Sequence, residues 1–259
     1  MNLLLDPSKR PVIAHRGNRA HAPENTLESL RQGIATGAEA IEFDLHLSRD
    51  GVPVVIHDPT LDRTTDQQGP VRERTAAELA RVDAGARFTL DGGKTYPYKG
   101  LGIGVSTLEE SLATHGHLPM VIEMKTLEVA LPALQVLDQA AVADRVLVGS
   151  FIDAALIPFA RAGYAVCGAP NALARLYLPA LLGASPPDIA FDSMCIPRFH
   201  RGLPIPVRQY ARVMRERGRT VHVWTVNEPR IARRLWDRGV SGIITDDPAA
   251  ILAERGGPA

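Results

Sequence analysis

Nine short stretches of the chain read as β-strands. Each alternates apolar with polar positions or is wholly apolar, and each is bounded by glycine, proline or polar residues. They are 11–15 (PVIAH), 39–47 (EAIEFDLHL), 52–57 (VPVVIH), 119–125 (PMVIEMK), 145–150 (RVLVGS), 164–168 (YAVCG), 188–193 (DIAFDS), 220–226 (TVHVWTV) and 242–245 (GIIT). Helical patterns with recognisable starts fall between most of them. Asn25 reads as a cap, with Glu28 three residues on and Leu27, Leu30 and Ile34 forming one face. Thr107 and Glu110 make a second capping box, and Asp247 before Pro248 starts a last helix. Strand and helix in alternation predict an α/β fold around a parallel sheet.

Nine strands are one too many for an eightfold barrel. Asp50-Gly51 separates the second stretch from the third, and that dipeptide is a strong hairpin signal. A two-residue turn there folds 52–57 back as an antiparallel appendage and sets His57 opposite Asp44, on the same face. Eight strand–helix units remain. The expected architecture is one TIM barrel domain, (βα)8, over 1–259, with a hairpin return after the second strand. Residues 58–106 then form an insertion over the barrel mouth, with a short helix near 75–81. A Rossmann sheet is disfavoured, because no G-x-G-x-x-G follows the first strand.

Composition narrows the class. At 259 residues, 45% of them hydrophobic, the chain can bury a core without staples. Its two cysteines, Cys167 and Cys195, are too few for a disulfide framework. Twenty-nine basic residues balance 29 acidic ones, so no overall field favours nucleic acid or an anionic membrane. The start, MNLLLDPSKR, lacks a signal-peptide core, and no run of about 18 apolar residues occurs. The expectation is a soluble, cytoplasmic protein without stable membrane insertion, its oligomeric state open.

The candidate chemistry sits at strand ends. The first strand closes on His15-Arg16-Gly17, and the second carries Glu42 and Asp44 on one face. The hairpin return ends in His57-Asp58, and the strand at 119–125 ends in Glu123-Met124-Lys125. In a βα barrel the C-terminal strand ends converge on one face, where active sites lie. Glu42, Asp44 and Glu123 would meet there. Three carboxylates sharing a pocket call for a cation, and an all-oxygen ligand set suits Mg²⁺, Ca²⁺ or Mn²⁺. Arg16 and Lys125 then remain as surplus positive charge for an anionic substrate, best a phosphate. His15 and His57 are suited to general acid and base work. These residues read as a site for metal-assisted cleavage of a phosphate ester. Trp224 and Phe151 lie near strand ends, where they line a substrate pocket or fill the lumen. His115-x-His117 precedes the N-terminal end of a strand, away from this mouth, and is read as structural.

The same residues carry a resemblance. His15-Arg16-Gly17, Pro23-Glu24-Asn25-Thr26, Glu42-Phe43-Asp44, Asp50-Gly51, Val54 to Asp58, Glu123-Met124-Lys125, Trp224-Thr225-Val226-Asn227 and Gly242 to Asp246 resemble the glycerophosphodiester phosphodiesterases, in order over nearly the whole chain. The resemblance implies a TIM barrel that hydrolyses glycerophosphodiesters to glycerol 3-phosphate and an alcohol, dependent on Mg²⁺ or Ca²⁺. It implies Glu42, Asp44 and Glu123 as metal ligands, His15 and His57 as the catalytic pair, and Arg16 and Lys125 as phosphate contacts. Asn25 is read as a helix cap first and a site contact second. The stretch 196–206, with Arg198, His200 and Arg201 among three prolines, matches no family motif and is a mouth loop or a surface loop. Two alternatives stand beside this reading. A lysophospholipase D-type phosphodiesterase would need an apolar channel or a membrane-docking surface, and no obvious amphipathic basic helix is present. Residues 207–217 come nearest, but Val207, Tyr210, Val213 and Met214 read as a helix packed on the barrel. A binding-only barrel is disfavoured because none of the seven polar residues is missing.

Overall fold

The computed structural model describes residues 2–183 and 188–255; Met1 and 256–259, the ends of the expected domain, lie outside them. The chain runs β1 (Val12–His15), α1 (Leu27–Ala35), β2 (Ala40–Leu47), β3 (Pro53–Val55), α2 (Ala76–Leu79), α3 (Leu108–His115) and β4 (Met120–Met124). It continues with α4 (Ala130–Gln139), β5 (Val146–Gly149), α5 (Asp153–Arg161), β6 (Ala165–Val166), α6 (Pro170–Leu182) and β7 (Ser193–Pro197). After β8 (Phe199–His200), β9 (Leu203–Pro204) and α7 (Val207–Arg215) come β10 (Thr220–Trp224), α8 (Pro229–Asp237), β11 (Gly242–Thr245) and α9 (Pro248–Arg255). Eight strands pair in the order β6-β5-β4-β2-β1-β11-β10-β7, all parallel, and a bridge between Cys167 and Ser193 brings the two edges together. This is the (βα)8 barrel expected from the pattern.

Alternation within β2 shows why the sequence folds this way. Ile41, Phe43 and Leu45 are fully buried and join the layer between sheet and helices. The other face of the strand turns Ala40 into the lumen with Ile13, Val121, Leu147, Cys167 and Ile244, and carries Glu42 and Asp44 above them. The barrel is therefore apolar through its body and ionisable at its top. Helix α7 buries Val207, Tyr210, Val213 and Met214, as its spacing implies. No helix among the described residues is long and apolar enough to cross a membrane.

Three local expectations are corrected. Strand β3 returns antiparallel from β2, but pairs Leu45 with Val55 and His46 with Val54. Asp44 therefore faces Ile56, whose N–H donates to its carbonyl at 3.0 Å, and His57 lies beyond the ladder. The cause is a three-residue loop with Gly51 at φ +78°, closed by the Ser48 N–H on the Val52 carbonyl. The seventh strand begins where 188–193 was expected to end. Ile189 and Phe191 pack in the outer core instead, and Met194 and Ile196 take the strand positions facing the helices. Thr26, not Asn25, caps α1, its side chain accepting the Ser29 N–H.

Between β3 and α3 the chain builds a small core of its own. Val54, Ile56, Leu61, Val71, Leu79, Val82, Ala84 and Val105 cluster apart from the barrel layer. Asp50 ties the hairpin loop to this region by accepting the Ala76 N–H at 2.9 Å.

Candidate active site

The strand ladder assembles the mouth. Parallel register sets His15 of β1 beside Glu42 of β2, and Asp44 of β2 beside Glu123 of β4. Glu42, Asp44 and Glu123 each offer a carboxylate oxygen, all within 4.8 Å of one another. Glu42 and Asp44 are buried.

A tight turn follows β1. Arg16 has φ +53° and Gly17 φ +86°; a Cβ on Gly17 would sit 2.4 Å from the Ser29 backbone, so only glycine fits. The turn aims the Arg16 N–H at Glu42 Oε2, at 3.0 Å. The Arg16 guanidinium donates to Glu24 Oε1 at 2.8 Å, while its Nε stands 3.1 Å from Asp44 Oδ2, out of line for a hydrogen bond. Lys125 Nζ lies 2.9 Å from Glu123 Oε1 and 3.4 Å from Asp44 Oδ1. Both cations thus neutralise the carboxylates directly.

Two buried carboxyls and a half-buried third, with two cations, remain frustrated. Burial pushes Glu42 well above the usual carboxylate range, and the charges of Asp44 and Glu123 push it further. Burial and the Asp44 charge also raise Glu123, against the pull of Lys125. Asp44 is held below its ordinary value despite burial, because Lys125, Arg16 and His57 surround it. Such a cluster takes up protons or a further cation, and its donors are hard oxygens. The acidic trio therefore fits a divalent cation.

Each histidine is held by a carboxylate. His15 Nδ1 is 2.7 Å from Asp246 Oδ1, and its Nε2 is 3.9 Å from Glu42 Oε2. Asp246 also accepts Asn227 Nδ2 at 2.8 Å and Arg19 Nη1 at 3.2 Å. Burial would raise the Asp246 carboxyl, but His15, Asn227 and Arg19 hold it at about 2. His57 Nδ1 is 2.5 Å from Asp58 Oδ1. Arg63 donates to Asp58 Oδ2 at 2.6 Å, and this bond above all holds Asp58 at about 2. The same guanidinium donates to both oxygens of Glu24, at 2.7 and 2.8 Å, tying the insertion to the Arg16 side of the mouth. His46 Nε2 anchors the His57 carbonyl at 3.0 Å.

His15, Arg16, Glu42, His57, Glu123, Lys125 and Trp224 line one pocket, and Asp44 lies at its buried margin. Trp224, at the end of β10, meets Phe151 edge-on with ring centroids 6.1 Å apart. All eight residues singled out from the sequence thus gather at one mouth. Asn25 has a larger part there than a cap would. At φ +57° its Nδ2 donates to Asp44 Oδ2 at 2.9 Å, and its Oδ1 accepts the Asp44 N–H at 3.2 Å. Asn tolerates that left-handed backbone better than most residues. From sequence alone Asp246 reads either as a site residue or as the start of the last helix, and Asp58 as a neighbour that satisfies His57. The sequence carries no signal for Arg63. His115 lies at the end of α3, buried and outside the pocket.

A parallel barrel whose mouth joins an acidic trio to carboxylate-held imidazoles and two cations defines a class, the (βα)8 phosphoric diester hydrolases. Residues 15–250 match the model of the glycerophosphoryl diester phosphodiesterase family, and the chain belongs to that family. It is 30% identical over 262 residues to a glycerophosphodiester phosphodiesterase of Bacillus subtilis, covering 95% of this chain and 86% of the relative. One from Caldanaerobacter subterraneus is 29% identical, covering 96% and 100%. Among solved structures, a glycerophosphoryl diester phosphodiesterase domain from Mycobacterium tuberculosis superposes with a TM-score of 0.82 at 21% identity, covering 95% of this chain and 98% of its own. An Oleispira antarctica phosphodiesterase in complex with its product sn-glycerol-3-phosphate gives 0.76 at 27% identity, covering 96% and 98%.

Proposed function

We propose that the protein hydrolyses glycerophosphodiesters to glycerol 3-phosphate and an alcohol, with His15 and His57 as the acid–base pair and a divalent cation, Mg²⁺ or Ca²⁺ with Mn²⁺ a further option, held by Glu42, Asp44 and Glu123. The observation that carries this reading is the pair of imidazoles, each fixed at Nδ1 by a carboxylate, in one pocket with Glu42 and Glu123 of the acidic trio. The sn-glycerol-3-phosphate bound in the Oleispira antarctica enzyme supports the same product.

When bound, the cation supplies positive charge at the acidic trio and polarises a phosphoryl oxygen. Asp246 and Asp58 keep the proton on Nδ1 of their histidines and leave Nε2 free to exchange protons with substrate. One imidazole takes a proton from the nucleophile, a water or the glycerol 2-hydroxyl, as the new P–O bond forms. Where the hydroxyl attacks, water then opens the cyclic phosphate, so that in either case one water ends as the new P–OH. The other gives a proton to the departing alcohol oxygen as its P–O bond breaks. Arg16 and Lys125 hold the phosphoryl oxygens. Trp224 packs against the substrate.

The test is release of glycerol 3-phosphate from glycerophosphocholine and glycerophosphoethanolamine by chelator-stripped protein, with Mg²⁺, Ca²⁺ and Mn²⁺ added back singly. Restoration by at least one metal is expected. Folded protein that releases nothing with any of them overturns the reading.

A further inference from the structure

The two cysteines have no part in the hydrolysis, yet the fold brings them together. Cys167 follows the two-residue strand β6, and Cys195 lies within β7. Met194 and Ile196 face the helices, so Cys195 turns into the lumen, where Cys167 already packs. Their sulfurs stand 3.3 Å apart, and both thiols are free. The sulfurs of a disulfide are about 2.0 Å apart, so this pair has only about 1 Å to close.

The pair sits where the barrel is held most thinly. The parallel ladder runs from β6 round to β7 and ends there. The remaining gap is crossed by a single bridge, Cys167 to Ser193. The Gly168 N–H donates to the Ser193 carbonyl, and the Asp192 N–H to the Val166 carbonyl, each at 2.9 Å. On the opposite side of the barrel, β2 and β4 pair over five residues, Ile41 to Leu45. A cross-link between the two sulfurs would close this seam covalently and tie off 167–195, the stretch that carries α6.

Both cysteines line the catalytic pocket, which encloses about 130 Å³. That space admits a molecule as small as hydrogen peroxide and keeps out a bulky peptide disulfide.

We propose that Cys167 and Cys195 are a redox-modification site: hydrogen peroxide joins them in a disulfide that staples the β6–β7 seam and hardens the barrel against unfolding. The Cys167 sulfur attacks one peroxide oxygen, the O–O bond breaks, water leaves, and Cys167 carries a sulfenic S–OH. The Cys195 sulfur then attacks the Cys167 sulfur. Its S–O bond breaks, and the hydroxyl departs with the Cys195 proton as a second water. The two thiols lose two electrons and the peroxide gains them. Cys195 comes second because its contact with Cys167, and then burial, push its thiol well above the ordinary value and make it the poorer first nucleophile. The staple acts by restricting the unfolded chain and is independent of the hydrolysis proposed above.

Folded protein should be treated with excess peroxide, then unfolded and labelled with iodoacetamide. Both thiols should label before treatment and neither after it, in protein that stays monomeric on non-reducing electrophoresis. Dithiothreitol should restore both. The oxidised protein should melt about 5–10 °C above the reduced protein, and dithiothreitol should cancel the rise. Methionine sulfoxide needs its own reductases, so that reversal separates the staple from methionine damage. Cys167→Ala and Cys195→Ala should each abolish the peroxide-dependent rise, judged against the same variant before treatment. Where a variant does not fold, the wild-type comparison decides alone. Thiols that stay free, that pass to sulfinic acid without a cross-link, or that pair between molecules overturn the proposal. So does an internal disulfide that leaves the melting temperature unchanged or lowers it.

Discussion

The two histidines reach one pocket by different routes. His15 ends a strand paired on both sides, its side chain 8% exposed, and Asp246 grips it from the end of the neighbouring strand β11. His57 lies past a three-residue strand at the start of the insertion, its side chain 30% exposed. It is steadied by Asp58, by Arg63 beyond it, and by the Arg63–Glu24 pair that returns to the barrel. One arm is placed by the hydrogen-bond ladder of the sheet, the other by a chain of ion pairs on a small separate core. The ladder cannot slip without breaking the barrel, whereas the chain of charges can loosen while the barrel persists. One site thus combines a rigid wall with an adjustable one.

Both arms converge on the acidic trio, so the largest effect belongs to it. Glu123→Gln keeps shape and removes charge, and should lower turnover by about 10³-fold or more at saturating metal. Metal binding followed by calorimetry should weaken in parallel. Wild-type activity in this variant would remove the trio from the mechanism.

The histidines come next. Alanine at His15 or at His57 should each cost roughly 10²- to 10⁴-fold in kcat. The arms should separate in stability. His15→Ala opens a cavity beside a half-buried, ionised Asp246 and should lower the melting temperature, while His57→Ala should leave it near wild type. Equal melting temperatures would erase the distinction between the two walls.

A smaller effect addresses the ion-pair chain alone. Arg63→Ala leaves His57 and Asp58 in place and unties them from Glu24; kcat should fall roughly 10- to 100-fold. Turnover by the variant should lose the salt response of wild type, because the screened contact is gone. Arg63→Lys should rescue little, since one ammonium cannot bridge Glu24 and Asp58 as the guanidinium does. Asp246→Asn, the matching change on the barrel arm, should leave the salt response as it was.

The same division governs what the sequence made legible. Alternation in β2 separated Ile41, Phe43 and Leu45 from Glu42 and Asp44, because a strand between lumen and helices must sort its faces. The meeting of His15, Glu42 and Glu123 on the ladder followed. The insertion arm was harder to read. Gly51 took the third position of a longer loop and shifted the hairpin by one residue, so His57 reached the pocket without opposing Asp44. Asn25 and Thr26 are both good caps, and only the left-handed turn at Asn25 gave the cap to Thr26 and the side chain to Asp44. The seventh strand moved because apolar residues stand on both sides of Asp192-Ser193, Ile189 to Phe191 before and Met194 to Ile196 after, and either run can serve as the strand. Arg63 acts only through residues distant in sequence, and no local pattern announces such a partner.

The smallest effect concerns the cost of keeping Glu42 ready for a cation. Its carboxyl is raised in the folded protein, by burial first and then by Asp44 and Glu123, so the folded state holds a proton that the unfolded chain gives up sooner. Folding is then favoured by this group below the unfolded carboxylate value of about 4.3 and loses stability as pH rises from there toward the raised folded value. Glu42→Gln removes that dependence. In metal-free protein the variant should therefore melt higher than wild type near neutral pH, and the two should converge in acid. Saturating Mg²⁺ or Ca²⁺ should reverse the order, because wild type gains the ligand's binding energy and the variant has lost a ligand. Melting curves across pH, with and without metal, check both halves. A metal-free variant that melts lower at neutral pH would mean that Arg16 and Lys125 already satisfy the trio. The barrel wall would then be relaxed without metal, and no longer strained toward it.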